Sequence, residues 1–224
     1  LHALKAAGLM VIPITGRPVG WSIPFASVWP VNAMVAENGA VALLHNPQTN
    51  EVRKIYQQDL ATRHHNYQEM QRIAQRVLQE IPGTVMAQDS AGRETDIAFD
   101  HSEFHHLSQE QIQQVLKLLK EEGMTATVSS IHINGWFGTH NKLEGARWIV
   151  RELFQRHLDD ELDTWAYVGD STNDQLMFAH FANSVGVANI QRFVPALQHL
   201  PRYISPSERG TGFSEVAQAI LASR

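Results

Sequence analysis

The sequence has no cysteine. That excludes disulfides, thiolate zinc sites and a cysteine nucleophile, and it suits a reducing cytosol. Long hydrophobic runs are missing too. The longest, Ala6 to Ile14, is broken by Gly8 and Pro13 and falls well short of the roughly 20 apolar residues that cross a bilayer. Nothing beside it resembles a signal peptide, so the expectation is a cytoplasmic protein with no membrane partner. Basic charge is thin as well. With 18 Lys and Arg against 23 Asp and Glu, the net charge of −5 supplies no general field for a polyanion. Nucleic acid is therefore not expected as a partner, although a local phosphate site is compatible with this balance.

What is present is an ordinary globular composition, with 43% hydrophobic residues in a chain of 224. That is enough for a core in one domain, or for a core plus a modest second module. His2 to Ala7 reads as the end of a helix stopped by Gly8, and Leu9 to Ile14 as a buried strand. Pro18, Pro24 and Pro30 are expected to break up the next segment. Val31 to Ala36 predicts a strand ending at Glu37-Asn38-Gly39, and Ala40 to Leu44 pairs with Val52 to Tyr56 across the Asn46-Pro47 turn.

From Leu60 to Asn134 the rhythm changes to amphipathic helices and alternating strands in the order αββαββ. A helix runs through Tyr67, Met70, Ile73 and Val77, followed by strands at Thr84 to Gln88 and Glu94 to Phe99. Ser108 and Gln111 have capping-box spacing and open a second helix, followed by strands at Met124 to Val128 and Ser130 to Asn134. After Gly135 helices and strands alternate as buried elements, with a helix from Lys142, a strand at Thr164 to Val168, a helix from Asn173 and a strand at Ser184 to Ala188. Tyr203-Ile204 and Phe213 to Leu221 close the chain as strand and helix. The expected fold class is α/β: a Rossmann-like, doubly wound parallel sheet over 1–59 and 135–224, with an inserted α+β module over 60–134.

Such sheets bind ligands beyond the carboxyl ends of their strands, and three polar clusters stand there. Thr15-Gly16-Arg17 offers a hydroxyl, a flexible backbone and a guanidinium, which suit an oxyanion. The run Gly169-Asp170-Ser171-Thr172-Asn173-Asp174 presents two carboxylates as the chain turns into a helix, and Asp170 suits a hard cation. Lys142, after Asn141, adds a positive charge. Together these are parts for phosphoryl transfer, which needs positioning and charge stabilisation. Each part alone is weak: Thr-Gly-Arg is a common turn, and a lysine at a helix start is usually solvated. A helix cap explains one residue of the Gly-Asp-x-x-Asn-Asp run and leaves the others unexplained.

The order of Ile14-Thr15-Gly16-Arg17-Pro18, Glu37-Asn38-Gly39-Ala40, Asn141-Lys142 and GDSTND, with an insert before the lysine, resembles the haloacid dehalogenase-type phosphatases. Within them it is similar to the subfamily IIB branch with a C2-type cap, over nearly the whole chain. The resemblance implies that 1–59 and 135–224 form the core and 60–134 the cap. It makes Thr15 the hydroxyl that binds the transferring phosphoryl group, Lys142 the charge that neutralises nucleophile and phosphate, and Asp170 a ligand of Mg²⁺. Asn173 and Asp174 complete the metal and phosphate shell, with Asp174 orienting the lysine. Gly16, Arg17 and Asn38 join the substrate side. His132 and Asn134 alternate on the cap strand and so share one face; if that face closes over the site they and Trp136 meet the leaving group, and ordinary sheet-surface roles explain them equally well. The implied substrate is a small phosphate ester, a sugar phosphate by likeness to the branch.

One motif of the family is missing. Its Asp-x-Asp-Gly-Thr strand, which carries the attacking carboxylate, should precede Thr15, yet the first acidic residue is Glu37 and the first aspartate Asp59. Asp96 with Asp100, and Asp159-Asp160, lack the spacing. The expectation is that a segment precedes Leu1 in the parent enzyme, and that the present chain alone is inactive while the parent is not. Two rival classes stand beside the hydrolase: a phosphotransferase such as a phosphomutase, and, were the chain complete, a non-catalytic phosphate-binding relative. His101, His105 and His106 invite a metal, but their loop setting predicts a solvated cluster.

Overall fold

Where the apolar runs stop decides the architecture. The computed structural model describes residues 1–223, beginning with a short helix α1 (His2–Ala6) that Gly8 ends at φ +75°. Leu9 to Ile14 then runs extended beside β1 (Met34–Ala36) in parallel, but it makes only an isolated bridge, Ile14 to Val35. The expected strand is incomplete for a chemical reason. Pro13 has no N–H to give, so the contact reduces to a few bonds, among them Val35 N to Pro13 O and Thr15 N to Val35 O, both 2.8 Å. A second correction falls on the prolines. Pro18 becomes the N-cap of a helix α2 (Val19–Val28) that carries Pro24 inside it.

Strands β2 (Val41–Asn46) and β3 (Glu51–Tyr56) extend β1 as an antiparallel meander. Their pairing runs from Val41 opposite Tyr56 to Asn46 opposite Glu51, as the hydrophobic runs predict. Helix α3 (Leu60–Glu80), capped by Asp59, leads into the insert. There β4 (Ile97–Asp100), helix α4 (Gln109–Glu121), β5 (Thr125–Val128) and β6 (His132–Trp136) form an antiparallel sheet in the order β4-β6-β5. The Ser108 and Gln111 capping box opens α4. Met70, Ile73, Val77, Phe99, Val115, Leu119 and Ile133 pack as one cluster between these helices and this sheet. The strand expected at Thr84 to Gln88 is only a bridge from Met86 to Phe99. In regular elements the insert is therefore αβαββ, because the segment pairs at one residue and then turns away at Ser90–Gly92.

After the insert, α5 (Lys142–Phe154), β7 (Ala166–Gly169), α6 (Gln175–His180), β8 (Asn183–Gly186), β9 (Tyr203–Ile204) and α7 (Arg209–Ala222) follow. Strands β7, β8 and β9 are parallel and adjacent in that order. The core sheet is thus in two pieces, β1-β2-β3 and β7-β8-β9. Helix α5 spans both: Ile12, Ile14 and Tyr167 pack with its Leu143, Ala146 and Val150, while Val35 and Ala42 pack with its Trp148 and Ile149. Its start is pressed against the Glu37–Gly39 turn. A Cβ on Gly39 would lie 2.4 Å from Asn141 O, and one on Gly145 would lie 2.6 Å from the Gly39 Cα. Only glycine allows this approach, which sets Asn38 beside the helix end that carries Lys142. No helix among the described residues is long and apolar enough to cross a membrane.

Candidate active site

Two polar networks stand on either side of the Ile14 strand tip. The first is built by β7 and the start of α5. Asn141 caps α5 by accepting from Leu143 N and Glu144 N at 2.9 and 3.0 Å, which fixes where Lys142 begins. Lys142 Nζ donates to Asp174 Oδ1 at 2.5 Å and to Asn173 Oδ1 at 3.2 Å. The same Asp174 Oδ1 accepts from Tyr167 OH at 2.5 Å, while Oδ2 takes Asp170 N at 2.8 Å and Ser171 N at 3.0 Å. Burial pushes the Asp174 carboxyl up, but Lys142 and Tyr167 outweigh it and hold the group below the ordinary carboxylate value. Tyr167 is driven the other way, well above its usual value, by burial and by the Asp174 charge. So Asp174 stays an anion and Tyr167 a neutral donor.

The three residues expected as metal ligands, Asp170, Asn173 and Asp174, differ in how their oxygens are used in this structure. Both Asp174 oxygens are engaged by Lys142, Tyr167 and backbone donors, and Asn173 Oδ1 is shared between Lys142 and Ser171 Oγ. Neither offers a cation an oxygen. Asp170 does: its Oδ2 accepts from Asn189 Nδ2 at 2.9 Å, and its Oδ1 accepts no hydrogen bond among the described residues. The residues present therefore fit Mg²⁺ at one ligand position, and among the described residues no three His, Asp or Glu side chains gather as a metal cluster. Two of the three histidines are spent on loop structure, with His101 Nε2 against Ser129 O and His105 Nε2 against Gly83 O.

The second network joins the core to the insert. Thr15 Oγ1 accepts from Arg17 N at 3.0 Å, which leaves its hydroxyl proton free to donate. Gly16 O accepts from Arg93 Nη1 at 3.2 Å, and Asn38 Nδ2 reaches Asp96 Oδ2 at 3.4 Å. Asn134 Nδ2 meets the same Asp96 oxygen at 3.1 Å. Arg17 departs from expectation. Instead of standing free for an oxyanion, it donates to Asp89 at 3.1 Å and bidentately to Glu103 at 2.7 and 3.3 Å. His132 Nε2 sits 2.8 Å from Glu103 Oε2, outside hydrogen-bond alignment. Burial and the nearby Arg93 hold its imidazole below the usual value. Asp96 is buried and paired with Arg93 at 2.8 Å, and burial raises its carboxyl despite that pair.

Thr15, Gly16, Arg17, Asn38, His132 and Asn134 thus come together in one network, and Lys142, Asp170, Asn173 and Asp174 in the other. Among the described residues no hydrogen bond passes between the two; the Gly39–α5 contact and the Ile14 packing connect them. Sequence reasoning missed Tyr167, Asn189, Arg93, Asp89 and Glu103. Tyr167 was within reach, since period-two alternation on β7 puts it on the face of Gly169. Asn189 was too, since it follows β8 at the same rim. The charges at 89, 93 and 103 look like ordinary surface residues in the sequence.

Two buried groups outside these roles set a pH dependence. Glu37 takes Val19 N, Glu94 N and Thr95 N and so ties the insert to the core. Its complete burial and the Asp96 charge push its carboxyl from 4.5 up to about 7. The proton it keeps stabilises the fold fully below about 4.5, and this contribution is lost as pH rises through about 7. His140, stacked on Trp136 at 5.5 Å, is lowered by burial from 6.5 to about 4. Its contribution is whole above 6.5 and lost as pH falls toward 4. The two slopes oppose each other. His140→Phe should therefore turn the urea-melt stability downward with rising pH relative to wild type, by roughly 2 kcal/mol between pH 5 and 6.5. Glu37→Gln should turn it upward; unchanged slopes in both variants would refute the assignment.

No family model and no curated protein matches the chain. Solved structures do. A protein from Thermoplasma acidophilum, 0175, superposes with TM-score 0.70 at 16% identity, covering 97% of this chain and 85% of that one. The sucrose-phosphatase of Synechocystis sp. PCC6803, solved with sucrose and phosphate, gives TM-score 0.68 at 16% identity over 97% and 88%. BT4131, described as a HAD subclass IIB sugar phosphatase, gives 0.64 at 16% identity over 98% and 88%. The chain has the haloacid dehalogenase fold, a Rossmann-like α/β core carrying a cap.

Proposed function

We propose that this chain forms the body of a cytoplasmic phosphate monoester hydrolase that acts on a small sugar phosphate through an aspartyl-phosphate intermediate. The observation that carries the proposal is the partly buried Lys142–Asp174–Tyr167 network at the end of β7, beside the open oxygen of Asp170. A lysine so anchored holds its positive charge in one place while a dianionic ester arrives, and costs no reorganisation when charge moves. Thr15 donates its free hydroxyl proton to a phosphoryl oxygen. His132 and Asn134, on the cap strand facing the core network, lie on the leaving-group side. When bound, with Asp170 as one ligand, Mg²⁺ would neutralise phosphoryl charge. The attacking carboxylate and its neighbouring acid belong to an Asp-x-Asp-Gly-Thr strand that residues 1–224 do not contain.

The sugar phosphatases among the fold neighbours support the substrate class. The test is a panel of phosphate esters offered to the chain joined to such a strand, with product analysis in the presence of an acceptor sugar. Sugar phosphates should exceed simple aryl phosphates in kcat/KM by about tenfold or more, with phosphate released to water. Phosphate recovered on the acceptor sugar would instead identify a transferase.

A further inference from the structure

Asn189 sits in the 3₁₀ turn Ala188–Arg192 after β8 and is buried. Its side chain is held at both ends. Oδ1 accepts from Arg209 N at 3.0 Å, and Nδ2 donates to Asp170 Oδ2 at 2.9 Å. A carboxamide is ordinarily ambiguous by a half-turn, because its oxygen and nitrogen have the same shape. Here the ambiguity is resolved by chemistry. A backbone N–H can only donate, so the oxygen must face Arg209, and the NH₂ must face the carboxylate. The turn is itself fastened on two sides: Val187 N donates to Gly169 O at 3.0 Å and Ala188 N to Ser207 O at 3.1 Å. The first of these bonds ties the Asn189 turn to the residue preceding Asp170. The second ties it to Ser207, just before α7, whose first residue Arg209 adopts φ +53°. A non-glycine residue in that conformation persists only where its surroundings hold it.

We propose that Asn189 is a positioning residue for Asp170. By taking one carboxylate oxygen from the side of the C-terminal helix, it fixes the plane of the carboxylate and leaves Oδ1 as the single oxygen open to a divalent cation. Without it, the Asp170 side chain is free to rotate. Its backbone N–H stays bound to Asp174, but its carboxylate has no other hydrogen-bond partner among the described residues. Groups that orient a ligating carboxylate are worth on the order of tenfold or more in metal affinity. The inference rests on the proposed role of Asp170 as a cation ligand, and its test separates the two.

The test is a Mn²⁺ titration of the ¹⁵N-labelled chain, read as paramagnetic broadening of the amides from Gly169 to Asp174. Wild type should broaden there selectively, and Asp170→Asn should abolish the selectivity. Asn189→Ala should need on the order of tenfold more Mn²⁺ for the same broadening. If wild type shows no selective broadening, or Asp170→Asn leaves it intact, the cation role of Asp170 fails, and the inference with it. If Asp170→Asn abolishes it and Asn189→Ala titrates like wild type, the cation role stands and the positioning role fails. A folding defect in Asn189→Ala does not shelter the inference, because solvent exchange of the Asn189 carboxamide protons is read without mutating that residue. They should be protected in wild type and about tenfold faster in Asp170→Ala; equal rates would overturn the inference.

Discussion

Replacing Lys142 with methionine should cost about 3 kcal/mol of stability, because it strips a buried carboxylate of its charge partner. Asp174 is 1% exposed and retains Tyr167 OH and two backbone N–H groups after the substitution. Those donors satisfy its lone pairs but do not neutralise it. Asp174→Asn fails differently, since it leaves the Lys142 ammonium without its counter-charge while Lys142 and the backbone N–H groups of Asp170 and Ser171 can only donate. In the double variant Lys142→Met with Asp174→Asn, the charge is gone and the amide nitrogen can turn to the Tyr167 oxygen. Its loss should therefore be smaller than the two single losses added together, by about 1–3 kcal/mol. Urea melts at neutral pH measure all three. The stability from Asp174 is present above its ordinary value of 3.8 and declines as pH falls through its lower folded value, so Lys142→Met should also weaken the acid-induced loss. A single-variant cost below about 0.5 kcal/mol would show that Lys142 is a solvated surface charge.

The parts of the site that were legible in the sequence are those whose residue type is tied to a turn. Gly169-Asp170-Ser171-Thr172-Asn173-Asp174 follows an apolar run, so its place at a strand end can be read directly. Asn141 announces the start of α5 by capping chemistry, and Ser108 with Gln111 does the same for α4. The Glu37-Asn38-Gly39 turn was equally visible, with Asn38 at φ +55° and Gly39 at φ +113°. What was hidden lies in long-range partnership. Nothing local says that Arg17 will meet Glu103, 86 residues away, or that Asn189 will reach back to Asp170. Spacing suggested Asp174 as a metal ligand, but only the fold reveals that Lys142, Tyr167 and two amides have already used its oxygens. The prolines misled for a related reason. Pro18 and Pro24 weaken helix propensity, yet α2 buries Val19, Ser22 and Ala26 against β1 and β2, and tertiary packing decides in favour of the helix.

The second large effect concerns catalysis. Most carboxylates around the site are already engaged, and Asp170 is the proposed cation ligand. Asp174 is spent on Lys142. Asp96 is spent on Arg93, Asn38 and Asn134, and Asp100 on the backbone N–H groups of Ser102, Glu103 and Phe104. Asp159 pairs with Arg147 and His180 at the surface. Glu37 is buried under N–H donors and carries a raised carboxyl. The core sheet meanwhile lies in two pieces, with Ile14 and Tyr167 packed on the same helix and no strand pairing between them. An aspartyl-phosphate route loses its covalent step without an attacking carboxylate, and removal of a nucleophile from a catalytic unit costs about 10³-fold or far more in rate.

The decisive measurement is phosphate release from a sugar phosphate with Mg²⁺, by the chain beginning at Leu1 and by the same chain with an Asp-x-Asp-Gly-Thr strand and its loop joined ahead of it. The account predicts no turnover above background for the first. For the second it predicts turnover at least about 10³-fold faster, lost again when the first aspartate of the added motif becomes asparagine or Lys142 becomes methionine. Turnover by the chain from Leu1 alone, abolished by Lys142→Met, would contradict it, as would a folded, strand-bearing chain that releases no phosphate.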